Sequence, residues 1–314
     1  MNPQRIIVIG GPTASGKSWV ARELARTLNG AVINADSMQV YAELPILTAQ
    51  PDAAARAGIP HRLYGVISVR ETCSAARWAE LAWREIEAVA GQGLVPIVTG
   101  GTGLYLRTLM QGLAPVPEIP AEIREGTRTL LRELGPEVFH ERLAARDPGA
   151  ASRIRPKDRQ RLARAWEVLE ATGRSLLDWQ GKADAVQPTA EFLTFVLNPD
   201  RGALYAAIDR RFAEMVRTGV LEEVRALAGM GLPPEAPARK ALGARELMDQ
   251  LAGRIDLEGA VAAAQQATRR YAKRQMTWFR NQVNGANFIS IDAINETSME
   301  RILPKIFPVI RNSR

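Results

Sequence analysis

Residues 10–18 read GGPTASGKS, and Gly11, Gly16, Lys17 and Ser18 fit the spacing G-x-x-x-x-G-K-[ST]. The motif lies between an apolar run at 5–9 and a helical pattern, WVARELARTL. Glycines at these positions let the backbone curl so that successive N–H groups point inward. The positive end of the following helix adds to that field. Thr13, Ala14 and Ser15 fill the loop, Lys17 brings a point charge to the terminal phosphates, and Ser18 a hydroxyl that can hold Mg²⁺. Loops of this kind usually serve kinases and NTPases, which add an apolar strand ending in Asp to hold the metal. The best apolar candidate after the first helix, 94–99, runs instead into Gly100-Gly101-Thr102-Gly103 and offers no carboxylate.

The apolar run at 31–35 does lead to a carboxylate, Asp36, followed by Ser37, Met38 and Gln39. At the carboxyl end of a strand, Asp36 belongs beside the phosphate loop. It could cap a turn or helix, a common role for Asp, or bind a hydroxyl that attacks a γ-phosphate in a small-molecule kinase. Gly100, Gly101 and Gly103 let a ligand approach the backbone closely, and Thr102 would bring a hydroxyl to the same crevice. Residues 267–282 read ATRRYAKRQMTWFRNQ. At about 100° per residue, Arg269, Arg270, Lys273, Arg274 and Arg280 fall within an arc of roughly 140°, with Tyr271 and Trp278 opposite. No acidic residue in this stretch offsets the five charges. Arg153, Arg155, Lys157, Arg159, Arg161 and Arg164 form a second basic group. A solvated charged face is the ordinary meaning of such a pattern, but two separate clusters suggest the walls of a nucleic-acid channel.

These residues need a scaffold. Further short apolar runs at 193–197 and 288–291, with helical patterns between several of the runs, predict an α/β fold. Its expected form is a P-loop NTPase-like parallel sheet flanked by helices, with ligands beyond the carboxyl ends of the strands. Loop-like stretches at 111–122 and 180–191 bracket a wholly helical segment, in which Leu162, Ala165, Trp166 and Leu169 make one apolar stripe. Residues 114–191 therefore read as a helical insertion into a core of 1–113 and 192–314. The 314 residues hold 41 Lys+Arg against 34 Asp+Glu, a formal +7 that hints at a polyanionic partner. Cys73 is the single cysteine, which excludes an internal disulfide and fits a reducing cytosol. No apolar run is long enough for a transmembrane helix, no export signal is expected, and no metal-ligand cluster is evident. A monomer is the expectation.

GPTASGKS, DSMQVY, PHR, SAAR, GGTGLYL, QRLARAWEVLEATG, RFAEMVRTGVLEEVRAL and YAKRQMTWFR occur in the order seen in bacterial tRNA dimethylallyltransferases. The chain resembles that family from residue 5 to about 282. The resemblance implies transfer of a dimethylallyl group from its diphosphate to the exocyclic N6 of the adenosine just 3′ of the anticodon. It implies that Thr13 to Ser18 cradle the donor diphosphate with Mg²⁺ and that Arg211 helps neutralise it. Asp36 would be the general base on N6, and Thr102 would orient the amino group and the departing diphosphate. The tRNA anticodon stem-loop would be held by Ser37, Met38, Gln39, Arg124, Gln160, Arg161, Arg164, Lys240, Arg245, Lys273, Arg274, Gln275 and Arg280. The chain departs from the family at 45–50, PILTAQ, where many members read DIGTAK. It departs again at Arg62, where a second His is usual, and at Ala244, where a Tyr often stands. A small-metabolite kinase, or an RNA-binding protein with a vestigial phosphate loop, are the competing readings.

Overall fold

Continuous apolar runs make strands that can be buried on both faces, and the chain uses them in a single parallel sheet. The structure is a computed structural model and describes residues 4–56, 58–181, 190–234 and 236–312. The first part of the chain runs β1 (Gln4–Gly10), α1 (Lys17–Leu28), β2 (Gly30–Asn34), α2 (Ala53–Arg56), β3 (His61–Arg62), α3 (Ala75–Gly91), β4 (Val95–Gly100) and α4 (Gly103–Gln111). Four helices follow, α5 (Ala121–Arg146), α6 (Pro148–Ser152), α7 (Arg159–Thr172) and α8 (Leu176–Gln180). The chain then returns through β5 (Ala190–Pro199), α9 (Arg201–Arg217), α10 (Val220–Gly229), α11 (Ala244–Leu251), α12 (Leu257–Gln282), β6 (Asn287–Ile291), α13 (Glu296–Glu300) and α14 (Leu303–Asn312).

The sheet order is β3-β2-β4-β1-β5-β6, and every pairing is parallel. Side chains alternate between faces with period two. Ile6, Val8, Ile33 and Val98 enter one core with α3, α4, α10 and α12. Ile7, Ile9, Val32 and Ile97 enter another with α1 and α14. Five of the strands match the apolar runs. The sixth, β3, is two residues long, too short to leave a pattern in the sequence.

Register decides what meets what. Gly10 pairs with Gly100 and Asn34 with Thr99, so the chain leaves β1, β4 and β2 side by side at their carboxyl ends. A Cβ on Gly100 would lie 2.2 Å from the carbonyl oxygen of Ala35, so only glycine lets β4 end this close to the turn that carries Asp36.

The chain divides into two compact units, one of Met1–Met110 with Thr189–Arg314, the other of Gln111–Pro188. The insertion expected at 114–191 is bounded within three residues of this unit, and its last two residues, Ala190 and Glu191, belong to β5. Within the second unit, Leu131, Phe139, Leu143, Leu162 and Ala165 form a small core of their own. Its long helix α5 is broken at Gly135, with φ 72°, immediately before Pro136. No helix among the described residues is long and apolar enough to cross a membrane.

Candidate active site

The loop after β1 is shaped to hold an anion. Ala14 (φ 63°) and Gly16 (φ 85°) both adopt the left-handed conformation, which turns successive N–H groups inward. A non-glycine residue there is uncommon, and such strain collects at functional sites. The helix behind the loop, α1, is open at its start: its N-cap, Gly16, has no side chain, and its first turn has no acidic residue. By contrast, Ser74, Asp158, Asp200 and Asp256 cap α3, α7, α9 and α12 with side-chain oxygens. Helices α10 and α11 also begin at glycine but carry Glu in the first turn. The N–H groups of α1 and the field of its dipole are thus left for a ligand. The Ser15 hydroxyl, fully buried in the loop, has no hydrogen-bond partner among the described residues.

Two cations stand at this loop. Lys17 Nζ donates to the Pro12 carbonyl at 3.2 Å, and Arg211, carried by α9, donates to Thr13 Oγ1 at 2.6 Å. Neither forms an ion pair among the described residues. Burial pushes Lys17 down to about 8; the Asp36 carboxylate works against that shift, and the neighbouring Arg211 adds to it. Burial lowers Arg211 as well, with Asp36 again opposing. Both side chains keep some solvent access, so they line a recess rather than a sealed interior.

Asp36 leaves the end of β2 toward these cations. Its backbone N–H donates to Asn34 Oδ1 at 2.9 Å, and Asn34 Nδ2 donates in turn to the carbonyls of Asp36 and Leu63. One carboxylate oxygen, Oδ1, accepts from Met38 N at 2.9 Å, so Asp36 does cap its turn. That bond holds the carboxylate in place and leaves Oδ2 for a second partner. The Thr102 hydroxyl accepts from Ser37 N at 2.9 Å and lies 3.3 Å from Ser37 Oγ, tying the turn after β4 to the turn after β2. The carboxylate is partly exposed and its charge reaches both cations, so the loop, Asp36 and Thr102 share one crevice.

Helix α12 closes this crevice from above the strand ends. Three glycines mark its path: a Cβ on Gly10 would lie 2.6 Å from the Phe279 ring, one on Gly101 2.2 Å from Gln275 Nε2, and one on Gly103 2.3 Å from the Trp278 ring. Its solvent face exposes Arg270, Lys273, Arg274 and Arg280. Lys240 and Arg245 are exposed too, and line a cavity of about 440 Å³ with Arg239, Arg254, Glu246 and Asp249. In the helical unit, Arg124, Gln160, Arg161 and Arg164 are exposed. Arg161 and Arg164 have acidic neighbours, Asp158 at 3.4 Å and Glu167 at 3.8 Å.

Several expectations need correction. Gln275 does not face outward. It is 5% exposed, its Oε1 accepts from Thr13 N at 2.8 Å, and its Nε2 donates to Gly101 O at 2.8 Å. Both ends of the amide are used within the protein, which removes it from the RNA-contacting set. The same bond takes the Thr13 N–H out of the anion cradle, and the Ser15 N–H donates to the Pro12 carbonyl at 3.3 Å, leaving Ala14 and Gly16 to Ser18 to supply the inward N–H groups. Gln39 spends both amide hydrogens on the carbonyls of Thr48 and Ala49. Arg269 is compensated after all, by a two-pronged ion pair with Asp209 on α9, closest at 2.6 Å. Tyr271, read from the sequence only as lying opposite the charges, is half-buried close to Asp36; burial and the Asp36 charge push its hydroxyl up to about 12. Glu223 was also missed: its carboxylate accepts from the backbone of Ile46 (2.8 Å) and Leu47 (2.7 Å) and so fixes the atypical 45–50 loop. The other departures are locally satisfied. Gln50 donates to Tyr41 O at 2.7 Å, Arg62 pairs with Glu85 at 3.4 Å, and Ala244 is fully buried.

Comparison with known proteins gives one consistent family. A family model described as IPP transferase matches residues 39–282. A tRNA dimethylallyltransferase of Rhodospirillum centenum is 54% identical over 282 residues, 90% of either chain. One of Paramagnetospirillum magneticum is 52% identical over 300 residues, covering 96% of this chain and 95% of that protein. Among solved structures, a tRNA delta(2)-isopentenylpyrophosphate transferase of Staphylococcus epidermidis superposes with a TM-score of 0.71 at 32% identity, covering 99% of this chain and 100% of the other. A eukaryotic dimethylallyltransferase acting on tRNA superposes with a TM-score of 0.82 at 27% identity, covering 99% and 80%.

Proposed function

The chain belongs to the IPP transferase family, and on that premise we propose that it transfers a dimethylallyl group from dimethylallyl diphosphate to N6 of the adenosine just 3′ of the anticodon in tRNA. One observation carries the reading. Among the described residues, two recessed cations without a carboxylate counter-ion stand across a crevice from a carboxylate with an uncommitted oxygen.

The crevice suits both halves of the reaction. As the allylic C–O bond of the donor breaks, negative charge builds on the departing diphosphate. N–H groups of Ala14 and of Gly16 to Ser18, with Lys17 and Arg211, are in place before that charge develops, which is the condition for strong transition-state stabilisation. The adenine N6 is a poor nucleophile because its lone pair is delocalised into the ring. As the N6–carbon bond forms, Asp36 Oδ2 accepts the proton that N6 must lose, while the bond from Met38 N keeps the carboxylate aimed. Thr102, fixed to Ser37, is placed to orient the amino group and the diphosphate. The products are N6-dimethylallyladenosine in tRNA, diphosphate and a proton.

The described residues hold no group of three His, Cys, Asp or Glu suited to a metal ion. Mg²⁺ would be held here by the exposed Ser18 hydroxyl together with the donor diphosphate itself. Bound there, it would further neutralise the departing diphosphate. The adenosine must leave its stack to reach Asp36, at a cost of a few kcal/mol. Phosphate contacts from Lys273, Arg274 and Arg280 on α12, from Lys240 and Arg245, and from Arg124, Gln160, Arg161 and Arg164 in the helical unit would offset that cost.

The test is direct. The protein is incubated with unmodified tRNA, labelled dimethylallyl diphosphate and Mg²⁺, and the nucleosides are separated. Label in a modified adenosine is expected. ATP-dependent phosphate transfer without tRNA would indicate a kinase instead, and tight tRNA binding without product a binding protein.

A further inference from the structure

We propose that Gln275 is a positioning residue, whose side-chain amide sets the separation of the phosphate loop and the 100–103 turn and so aligns the departing diphosphate with the acceptor amine. The inference rests on the prenyl-transfer reading above.

The two loops come from different strands and present complementary groups to the amide. Thr13 offers an N–H, accepted by Oε1 at 2.8 Å, and Gly101 offers a carbonyl, which receives Nε2 at 2.8 Å. One planar group with an acceptor at one end and a donor at the other bridges them. Burial to 5% exposure shields both bonds from water. The bridge has no slack: a Cβ on Gly101 would fall 2.2 Å from Nε2, and the flanking Phe279 and Trp278 rings rest on Gly10 and Gly103. Each loop also carries reaction machinery on its far side. Thr13 Oγ1 receives Arg211, and Thr102, next to Gly101, receives Ser37 N beside Asp36. Reaction needs the nucleophile within about 3–3.5 Å of the allylic carbon, and a shift of about 1 Å can cost roughly 10²-fold. A shift of the loops relative to each other is what the amide resists.

Two near-isosteric variants test this. Gln275→Met removes both bonds. We expect kcat to fall at least about tenfold, while the tRNA KM and the Kd for inorganic pyrophosphate stay within about threefold, because the groups that bind each substrate remain. Gln275→Glu supplies a readout that a merely structural role would not move. When ionised, the introduced carboxyl can accept from Thr13 N–H but repels the Gly101 carbonyl; when protonated, it donates there as the amide did. Burial raises the pKa of such a carboxyl. The ratio of variant to wild-type kcat should therefore climb at least about fivefold as pH falls from about 8 to about 6. Melting curves establish folding, and if Gln275→Met does not fold, the Gln275→Glu ratio decides alone. A kcat for Gln275→Met within about twofold of wild type, a loss of pyrophosphate or tRNA binding equal to the loss in kcat, or a Gln275→Glu ratio flat with pH overturns the proposal. A wild-type protein that transfers no label would remove the prenyl-transfer reading itself, whereas an active wild type with an equally active Gln275→Met removes only the clamp.

Discussion

The positive charges of the phosphate recess and those on the outer face of α12 are made of the same side chains but differ in their surroundings. Lys17 and Arg211 are hemmed in by protein, have no ion-pair partner among the described residues, and are both lowered by burial. Lys273, Arg274 and Arg280 stand in solvent along a helix whose other face packs on the strand ends. Water and salt screen the second set, so it can attract a polyanion but stabilises any one charge weakly. The first set is costly to keep charged without a counter-ion, and an arriving diphosphate relieves that cost. The difference separates chemistry from adhesion: recessed charges govern the donor and the barrier, exposed charges govern RNA affinity.

Variants on the two sets should behave differently. The largest effect is expected from Asp36→Asn, which keeps the shape of the crevice but cannot accept the N6 proton. Its kcat should fall by about 10²–10⁴ with tRNA binding retained, measured by label transfer and filter binding; unchanged turnover would end the role given to Asp36. Next is Lys17→Ala, where loss of one preorganised cation should cost about 10²–10³ in kcat/KM for the donor. Steady-state kinetics against donor concentration checks this, and normal values would break the distinction between the two sets. Smallest is Lys273→Ala, which should weaken tRNA binding about 3- to 10-fold and lower the slope of log Kd against log salt by about 1. Its kcat at saturating tRNA should stay near wild type. A large fall in that kcat would show that an exposed charge acts on the barrier.

Much of this was legible in the sequence because it is local. The phosphate loop is a single stretch in which glycine spacing and one lysine specify both shape and chemistry, and the structure adds its φ angles and the partners of Thr13. Asp36 and Thr102 were found because each ends an apolar run, and parallel strands bring their carboxyl ends together. Arg211 came from resemblance alone, since nothing in its own helix separates it from Arg210. Long-range pairing was not legible: Arg269 looked uncompensated because Asp209 is on another helix. Gln275 sits within a charged stretch, and its neighbours suggested RNA; only the meeting of two loops over α12 shows that its amide faces inward. Residues 61–62 form a strand too short to have any periodicity.

The central claim, that Lys17 is a recessed cation whose burial cost an arriving diphosphate relieves, is open to one direct measurement. Binding of inorganic pyrophosphate is followed by calorimetry in buffers of different ionisation enthalpy, just above pH 8, where Lys17 with its value of about 8 is losing its proton in the free protein. The anion favours the charged ammonium, so the account predicts net proton uptake on binding that grows as pH passes through about 8, an affinity that falls over the same range, and loss of the Lys17 contribution to uptake in Lys17→Met. Proton uptake equal in wild type and Lys17→Met, or affinity that does not change across that range, would contradict it.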